Sequence, residues 1–431
     1  VSAELPVEHV AVAVVGGGPS GLTAATALAP VVDGEVRVIE RERETGGIPR
    51  HSDHPGYGLR DLHRFVSGPA YARRLTATAR DAGAVLETEA QVTGWDGERR
   101  LLVTSPRGRH VVEADAVVLA TGARERPRPA RRIPGDRPDG VYTTGQLQNL
   151  VHLHHAEVGR RAVVVGAELV SWSAVVTLRE AGCETVAMVS RYAHAEAYAA
   201  FRAWGRATHV PVRTRSRVVS IEGRTRVEAV VLEHLDTGER TRVECDTVVT
   251  TGDWVPDHEL ARLTGLDLDR GTRGPSVDGS LRTSRAGVFA VGNLVHPVDT
   301  ADAAALDGRH VADGVVADLR GVLGESDSVP LLASDDFRWV SPQRLVSGQR
   351  TPRGDLLLWP ETSRLLPVVV ATQDGREIGR ARTAWPAAPG RVYRVPASVV
   401  SSADPAGGPV TISLRSTDLR RPPPRRAPRA R

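Results

Sequence analysis

Three stretches of this 431-residue chain carry residue types at spacings that could do chemistry. The first is Gly16-Gly17-Gly18-Pro19-Ser20-Gly21, a complete G-x-G-x-x-G. An apolar strand, Val10–Val15, runs into it, an alanine-rich helix, Leu22–Leu28, leaves it, and Glu40 closes the next strand. Gly16 allows the tight turn, Gly18 lets a pyrophosphate approach bare backbone, and Gly21 lets helix and strand pack closely. The N-terminus of that helix offers unpaired N–H groups and a positive dipole end, and Glu40 can bind ribose hydroxyls.

The second stretch is Gly47-Ile48-Pro49-Arg50-His51-Ser52-Asp53-His54-Pro55-Gly56-Tyr57. His51 and His54, with Asp53 and Tyr57, can orient a substrate or take a proton, and Arg50 can pair with a substrate carboxylate. The plainer alternative is that both histidines only hydrogen-bond their loop.

The third is Gly166-Ala167-Glu168-Leu169-Val170-Ser171, which begins like the first turn and lacks its later glycines. Glu168 stands where a pyrophosphate should touch backbone, and Ser171 replaces the third glycine. A carboxylate about 5 Å from a phosphate charge costs on the order of 3 kcal/mol at an effective dielectric near 20, about a hundredfold in affinity. Only Arg191 follows the next strand as a partner for a 2′-phosphate. This turn is expected to be retained structurally and impaired for NAD(P), with nucleotide binding left open.

The elements that must position these residues follow from pattern. Val36–Glu40 completes a first strand–helix–strand unit, a helix with apolar spacing covers about Gly68–Ala82, and Leu101–Val103 with Val111–Val112 reads as an antiparallel pair. Ala116–Ala120 is a separate buried strand. An Arg/Pro-rich crossover, Arg124 to Pro138, follows, with Arg124, Arg126, Arg128, Arg131 and Arg132 expected to be exposed. A second unit takes strand Ala162–Val165, helix Leu169–Ala181, strand Thr185–Val189, a helix near Ala193–Trp204, strands Val218–Ile221 and Ala229–Leu235, and strand Thr247–Thr250. Strand Val288–Val291 and a long helix, about Asp302–Leu319, return to the first unit. From Asp335 the pattern changes to short alternating strands with Asp374-Gly375, Pro389-Gly390 and Gly407-Gly408 turns, a small all-β, sandwich-like module. The fold class is thus α/β, two Rossmann-like dinucleotide-binding domains, the first discontinuous, plus a C-terminal all-β module.

Composition excludes several chemistries. The only cysteines, Cys183 and Cys245, form no C-x-x-C or C-x4-C pair, so a redox dithiol and an iron–sulfur site lack ligands. All 56 basic residues are arginine, which removes a Schiff-base lysine. The net charge of +4 includes six arginines in 419–431, so the remainder carries −2 and a nucleic-acid partner is not expected. That proline-arginine tail is expected to be disordered. His152, His154 and His155 lack a companion acid or cysteine at ligand spacing, and no metal is expected. No run approaches the roughly 18 apolar residues of a membrane span, and no signal-type segment stands out, so a cytoplasmic protein is expected.

Four motifs in order resemble those of the two-dinucleotide-binding-domain FAD flavoproteins of the glutathione-reductase and thioredoxin-reductase kind: the first turn with Glu40-Arg41 and Gly46-Gly47, then Ala120-Thr121-Gly122-Ala123, Thr250-Thr251-Gly252, and Thr283 through Gly292-Asn293. The resemblance covers about residues 8–325. It implies FAD held by Gly16, Gly18, Pro19, Ser20, Gly21, Glu40, Arg41, Gly47, Ile48, Thr121, Gly122, Gly292, Asn293, Ala301 and Asp302. Asn293 replaces the family's acid near the ribityl chain and can still hydrogen-bond a hydroxyl. The implied domains are 1–125 with 286–325 for FAD, 126–285 like an NAD(P) domain, 326–418 for the β-module and 419–431 for the tail. Pro49 and His54 stand where the disulfide reductases place their cysteines, so dithiol chemistry is excluded. The loop is more similar to that of the FAD subunits of opine oxidase, hydrogen cyanide synthase and sarcosine oxidase-type enzymes, which implies a partner subunit. The function implied is an FAD-dependent oxidoreductase taking electrons from a small amine, amino acid or hydroxy acid and passing them to a partner subunit or other acceptor. Two alternatives stand beside it: an NAD(P)H-dependent flavin reductase, and a flavin-binding scaffold subunit.

Overall fold

A computed structural model describes residues 5–194, 196–197, 199–323 and 327–415. The expected module boundary at residue 326 and the tail 419–431 lie outside the described residues.

The first unit is built on five parallel strands in the order Val85–Glu87, Val36–Ile39, Val7–Val15, Gly108–Leu119, Val288–Ala290. This is the order of a dinucleotide-binding half, and ligands meet such a sheet at its carboxyl edge. The register brings that edge into line: Val15 pairs with both Ile39 and Leu119, and Leu119 with Ala290. Gly16, Glu40, Ala120 and Val291 therefore emerge side by side. Val10–Val15 and Ala116–Leu119, the halves of the central strands nearest that edge, are apolar and buried. Helix Pro19–Leu28 crosses helix Ala301–Leu319 so closely that a β-carbon on Gly308 would collide with the Ser20 carbonyl.

Gly108–Leu119 is one strand, not two. Its first half pairs antiparallel with Arg100–Ser105 and its second half parallel with Val288–Ala290, so it changes neighbours without turning. Alternation broken at Glu113–Asp115 disguised that continuity.

The second unit repeats the plan with parallel strands Val141–Thr143, Thr247–Thr250, Arg161–Val165, Glu184–Val189 and Val212–Arg213. An antiparallel sheet of Ser216–Glu222, Ala229–His234 and Arg240–Glu244 lies beside it. The helix expected from Ala193 begins at Ala199. The two connections between units, Ala123–Glu125 and Trp254–Pro256, pair antiparallel. The crossover is less exposed than expected: Arg128 is buried and donates to the Ile133 and Pro134 carbonyls, and Arg131 donates to those of Arg126, Thr251 and Gly252. Their guanidinium groups satisfy backbone oxygens of the crossover and of the Thr251-Gly252 turn.

The C-terminal residues form two facing sheets. One has Arg344–Val346, Ser328–Ala333, Val410–Leu414, Val368–Gln373 and Arg376–Arg382, and the other has Phe337–Ser341, Asp355–Pro360 and Tyr393–Pro396. Leu331, Phe337, Leu358, Val369, Tyr393 and Ile412 pack between them. Ser328–Ala333 precedes the expected change of pattern, and Pro330 hides it. This module is docked on the first unit through buried ion pairs, Arg394 with Asp299 at 3.1 Å and Arg353 with Asp307. Burial works to raise the Asp307 pKa, but Arg353 and His296 outweigh it and hold the carboxyl well below its ordinary range. Among the described residues no helix is long and apolar enough to cross a membrane.

Candidate functional site

A cavity of about 940 Å³ opens where both units and the module meet. At the first glycine turn, Gly16 has φ +107° and its β-carbon would press on the Ala120 carbonyl oxygen at 2.5 Å. A β-carbon on Gly21 would collide with the Gly16 carbonyl, whereas one on Gly18 would meet nothing within 4 Å. Gly18 thus faces open cavity, and no side chain caps the helix that begins at Pro19. Bare backbone, free N–H groups and space coincide there, which fits a dinucleotide pyrophosphate. Glu40 is buried beside it, accepting from the Gly17 N–H at 2.7 Å and the Glu42 N–H at 2.9 Å.

Most of the expected cofactor residues line this cavity: Gly16, Gly18, Pro19, Ser20, Glu40 and Arg41 along one wall, Gly47, Ile48, Thr121 and Gly122 along another, and Asn293, Ala301 and Asp302 at the far end. Gly21 and Gly292 do not. Gly292, with φ +67°, lies against Ser20, so it serves packing behind the cavity wall. The Asn293 amide is engaged with Asp299, donating to its carbonyl and accepting from its N–H, both at 3.1 Å. Asp302 accepts from the Arg60 N–H at 3.0 Å and the Arg60 guanidinium at 3.2 Å.

The loop after Gly47 also reaches the cavity. His51 is buried, and burial, followed by the charge of Arg50 and of His152, pushes its pKa down to about 4, so the ring is neutral at pH 7. His54 is bonded through Nδ1 to the Pro55 carbonyl at 2.9 Å and through Nε2 to Ser52 Oγ at 3.1 Å and Ser173 Oγ at 2.6 Å. Burial pushes the Tyr57 phenol up to about 12 against a hydrogen bond with Ser52. Arg50 donates to the Glu44 carbonyl at 3.1 Å and faces Glu42 at 3.6 Å, so its charge is partly spent on its own loop. Asp53 is exposed.

Several lining residues had no signal in the sequence. Ser52, Gln148 and Ser173 belong to the His54 network. Glu125 accepts from the Gly145 N–H at 2.9 Å with its other oxygen unpartnered, and burial, reinforced by Glu168, raises its pKa to about 7. Gly390, Arg391, Val392 and Arg394 come from the β-module.

At the second turn, Gly166 N–H donates to the Val189 carbonyl at 2.8 Å, as Gly16 does to Ile39 at 2.9 Å. Glu168 is buried and folds back to accept from the Ala167 N–H at 3.1 Å. Ser171 Oγ is bonded to Thr251 Oγ1 at 2.6 Å. Ala197 N–H crosses the turn to the Ala167 carbonyl at 3.2 Å, and Gly390 packs so near that its β-carbon would lie 3.1 Å from that of Glu168 and collide with that of Glu196. Burial and then the charge of Glu168 raise Glu196 to about 7.

Comparison with known proteins agrees with this geometry. The family pattern described as pyridine nucleotide-disulphide oxidoreductase matches residues 10–308. An opine oxidase subunit of Agrobacterium tumefaciens (strain Ach5) is 26% identical over 381 residues, 80% of this chain and 73% of that protein. The thioredoxin reductase structure from T. acidophilum superposes with a TM-score of 0.62 at 20% identity, covering 72% of this chain and 98% of that one. The covalent putidaredoxin reductase–putidaredoxin complex gives 0.55 at 19% identity and 86% of each chain. At such identities the structures speak to the fold.

Proposed function

The chain belongs to the pyridine nucleotide-disulphide oxidoreductase family as an FAD-dependent oxidoreductase, and on that premise we propose that it oxidises a small amine, amino acid or hydroxy acid and passes the electrons to a partner subunit or other acceptor. The observation that carries this reading is the contrast in accessibility between the two glycine turns. The first presents open backbone at Gly18. The second is covered by Glu168, by the segment at Ala197 and by Gly390. Electrons arriving from a nicotinamide nucleotide would need that second crevice, and electrons from a small substrate would not.

In this reading the Gly18–Ser20 backbone holds the pyrophosphate, Glu40 the ribose, and Gly47, Ile48, Thr121, Asn293, Ala301 and Asp302 the remainder of FAD. When bound, FAD supplies the two-electron acceptor. His51, neutral and buried, contributes an uncharged wall, and His54 a proton site. Residues 1–125 with 286–325 act as the flavin unit and 126–285 as its nucleotide-like counterpart, with the module from about 326 to 418 closing the chamber. A partner chain is supported by similarity to a protein whose name marks it as one subunit of opine oxidase.

The test is anaerobic reduction of the yellow protein by a panel of amines, amino acids and hydroxy acids, with NADH and NADPH alongside. Bleaching by a panel member and not by micromolar nucleotide is expected. Fast reduction by either nucleotide, saturating at micromolar concentration, overturns the reading in favour of an NAD(P)H-dependent reductase. A protein that takes up FAD and is bleached by nothing until a partner chain is added points to the scaffold role.

A further inference from the structure

His54 is held at both ring nitrogens, and the two partners determine where its proton sits. A carbonyl oxygen only accepts, so the 2.9 Å contact with Pro55 requires a proton on Nδ1. In the neutral ring Nε2 is then a bare lone pair, and Ser173 Oγ at 2.6 Å donates to it. The Gln148 side-chain N–H groups donate to Ser173 Oγ at 2.7 Å and to Ser52 Oγ at 3.1 Å, which occupies an acceptor position on Ser173 and leaves its hydroxyl proton for the histidine. Ser52 Oγ lies farther from the same Nε2, at 3.1 Å. All four side chains line the cavity. His54 and Ser52 come from the flavin-unit loop, and Ser173 and Gln148 from helices Leu169–Glu180 and Thr144–His152 of the second unit. The network therefore exists only while the two units are docked.

We propose that Ser173 is the proton acceptor of this chamber, taking a proton from an O–H or N–H of the bound substrate at Oγ while its own proton passes to His54 Nε2. No electrons move in this step: the substrate loses one proton, the serine is unchanged, and the ring becomes an imidazolium held by Pro55. Gln148 is a positioning residue. Around the ring, Asp53 and Tyr57 belong to its own loop, and Glu180 of helix Leu169–Glu180 supplies an acid whose charge interacts with it. The proposal rests on the reading that the substrate is oxidised in this cavity, but its test needs no substrate.

A serine that surrenders its proton to a histidine is a nucleophile. Phenylmethanesulfonyl fluoride added to the FAD-loaded protein should form a bond to Ser173 Oγ, with fluoride leaving and the hydroxyl proton going to His54. Peptide mass spectrometry is expected to show Ser173 labelled at least tenfold faster than the exposed Ser402. His54→Gln should slow that labelling at least tenfold, and Gln148→Ala several-fold, with FAD content unchanged. Equal labelling of Ser173 and Ser402, or labelling indifferent to His54→Gln, overturns the proposal. Should His54→Gln fail to hold FAD, ¹⁵N spectra of histidine-labelled wild type serve instead: a proton on Nδ1 is expected, and one on Nε2 overturns the relay. A silent substrate panel with rapid Ser173 labelling would remove the oxidation reading and leave the activated pair intact.

Discussion

The two glycine turns of this chain satisfy the same backbone group with different carboxylates. In the first, Gly17 N–H is taken by Glu40 from the end of the neighbouring strand, which leaves Gly18 and the helix start free. In the second, the matching Ala167 N–H is taken by Glu168, from the turn itself. The residue that matches Glu40 there is Ser190, because Val189 pairs with Val165 as Ile39 does with Val15. An acid absent at the strand end has reappeared two residues after the turn's first glycine. A carboxylate meets that amide in both units, and in the first its position leaves the backbone at Gly18 clear. Retaining the turn does not require keeping it open to a ligand, because the two depend on different atoms.

Moving the acid onto the first turn is the strongest way to test this comparison. Gly18→Glu should abolish FAD binding, a loss of about a hundredfold or more for about 3 kcal/mol of repulsion, read as loss of flavin absorbance after purification. Near-normal yellow protein would mean that the turn tolerates a carboxylate and that the contrast is empty.

Removing the module comes next. The sequence alone predicts that a core ending near residue 326 keeps its flavin. Asp299 and Asp307 are buried against Arg394 and Arg353, however, and a carboxylate left without its buried partner costs several kcal/mol. The truncated chain is expected to bind FAD weakly or to precipitate, as flavin titration and light scattering would show.

Opening the second turn should do less than its sequence suggests. Glu168→Gly with Ser171→Gly removes the charge and the hydroxyl, but Gly390 and Ala197 still lie on the turn. A gain of under tenfold in NADH affinity is expected from the pair alone, and a further gain when the loop around Gly390 is shortened as well. A full hundredfold from the double variant would show that the covering segments yield easily.

A further test concerns pH. The folded pKa of His51, about 4, lies below the ordinary value of 6.5, so the folded state binds fewer protons between those limits. Its contribution to stability is complete above pH 6.5 and is lost as pH falls towards 4. Wild type should lose up to roughly 3 kcal/mol more than His51→Gln across that window, measured by urea unfolding. Parallel pH profiles would place the ring in solvent.

What the sequence determined by itself is local: periodicity of 2 and 3.6, glycines where backbone must approach backbone, and an acid at a strand end. Those signals located the first turn, Glu40 at its strand end, both Rossmann-like units and the all-β character of the C-terminal module, since each depends on a few adjacent residues. They also marked Glu168 as the odd residue of the second turn. Tertiary structure alone decided which way that carboxylate points and that Gly390, more than 200 residues away, covers it. It likewise joined His54 to Ser173, placed Arg394 against Asp299, and turned Arg128 and Arg131 inward. Serines, glutamines and arginines carry no periodic signature, and their partners are chosen by whichever unpaired group burial leaves within about 3 Å, which becomes known only once distant segments are packed together.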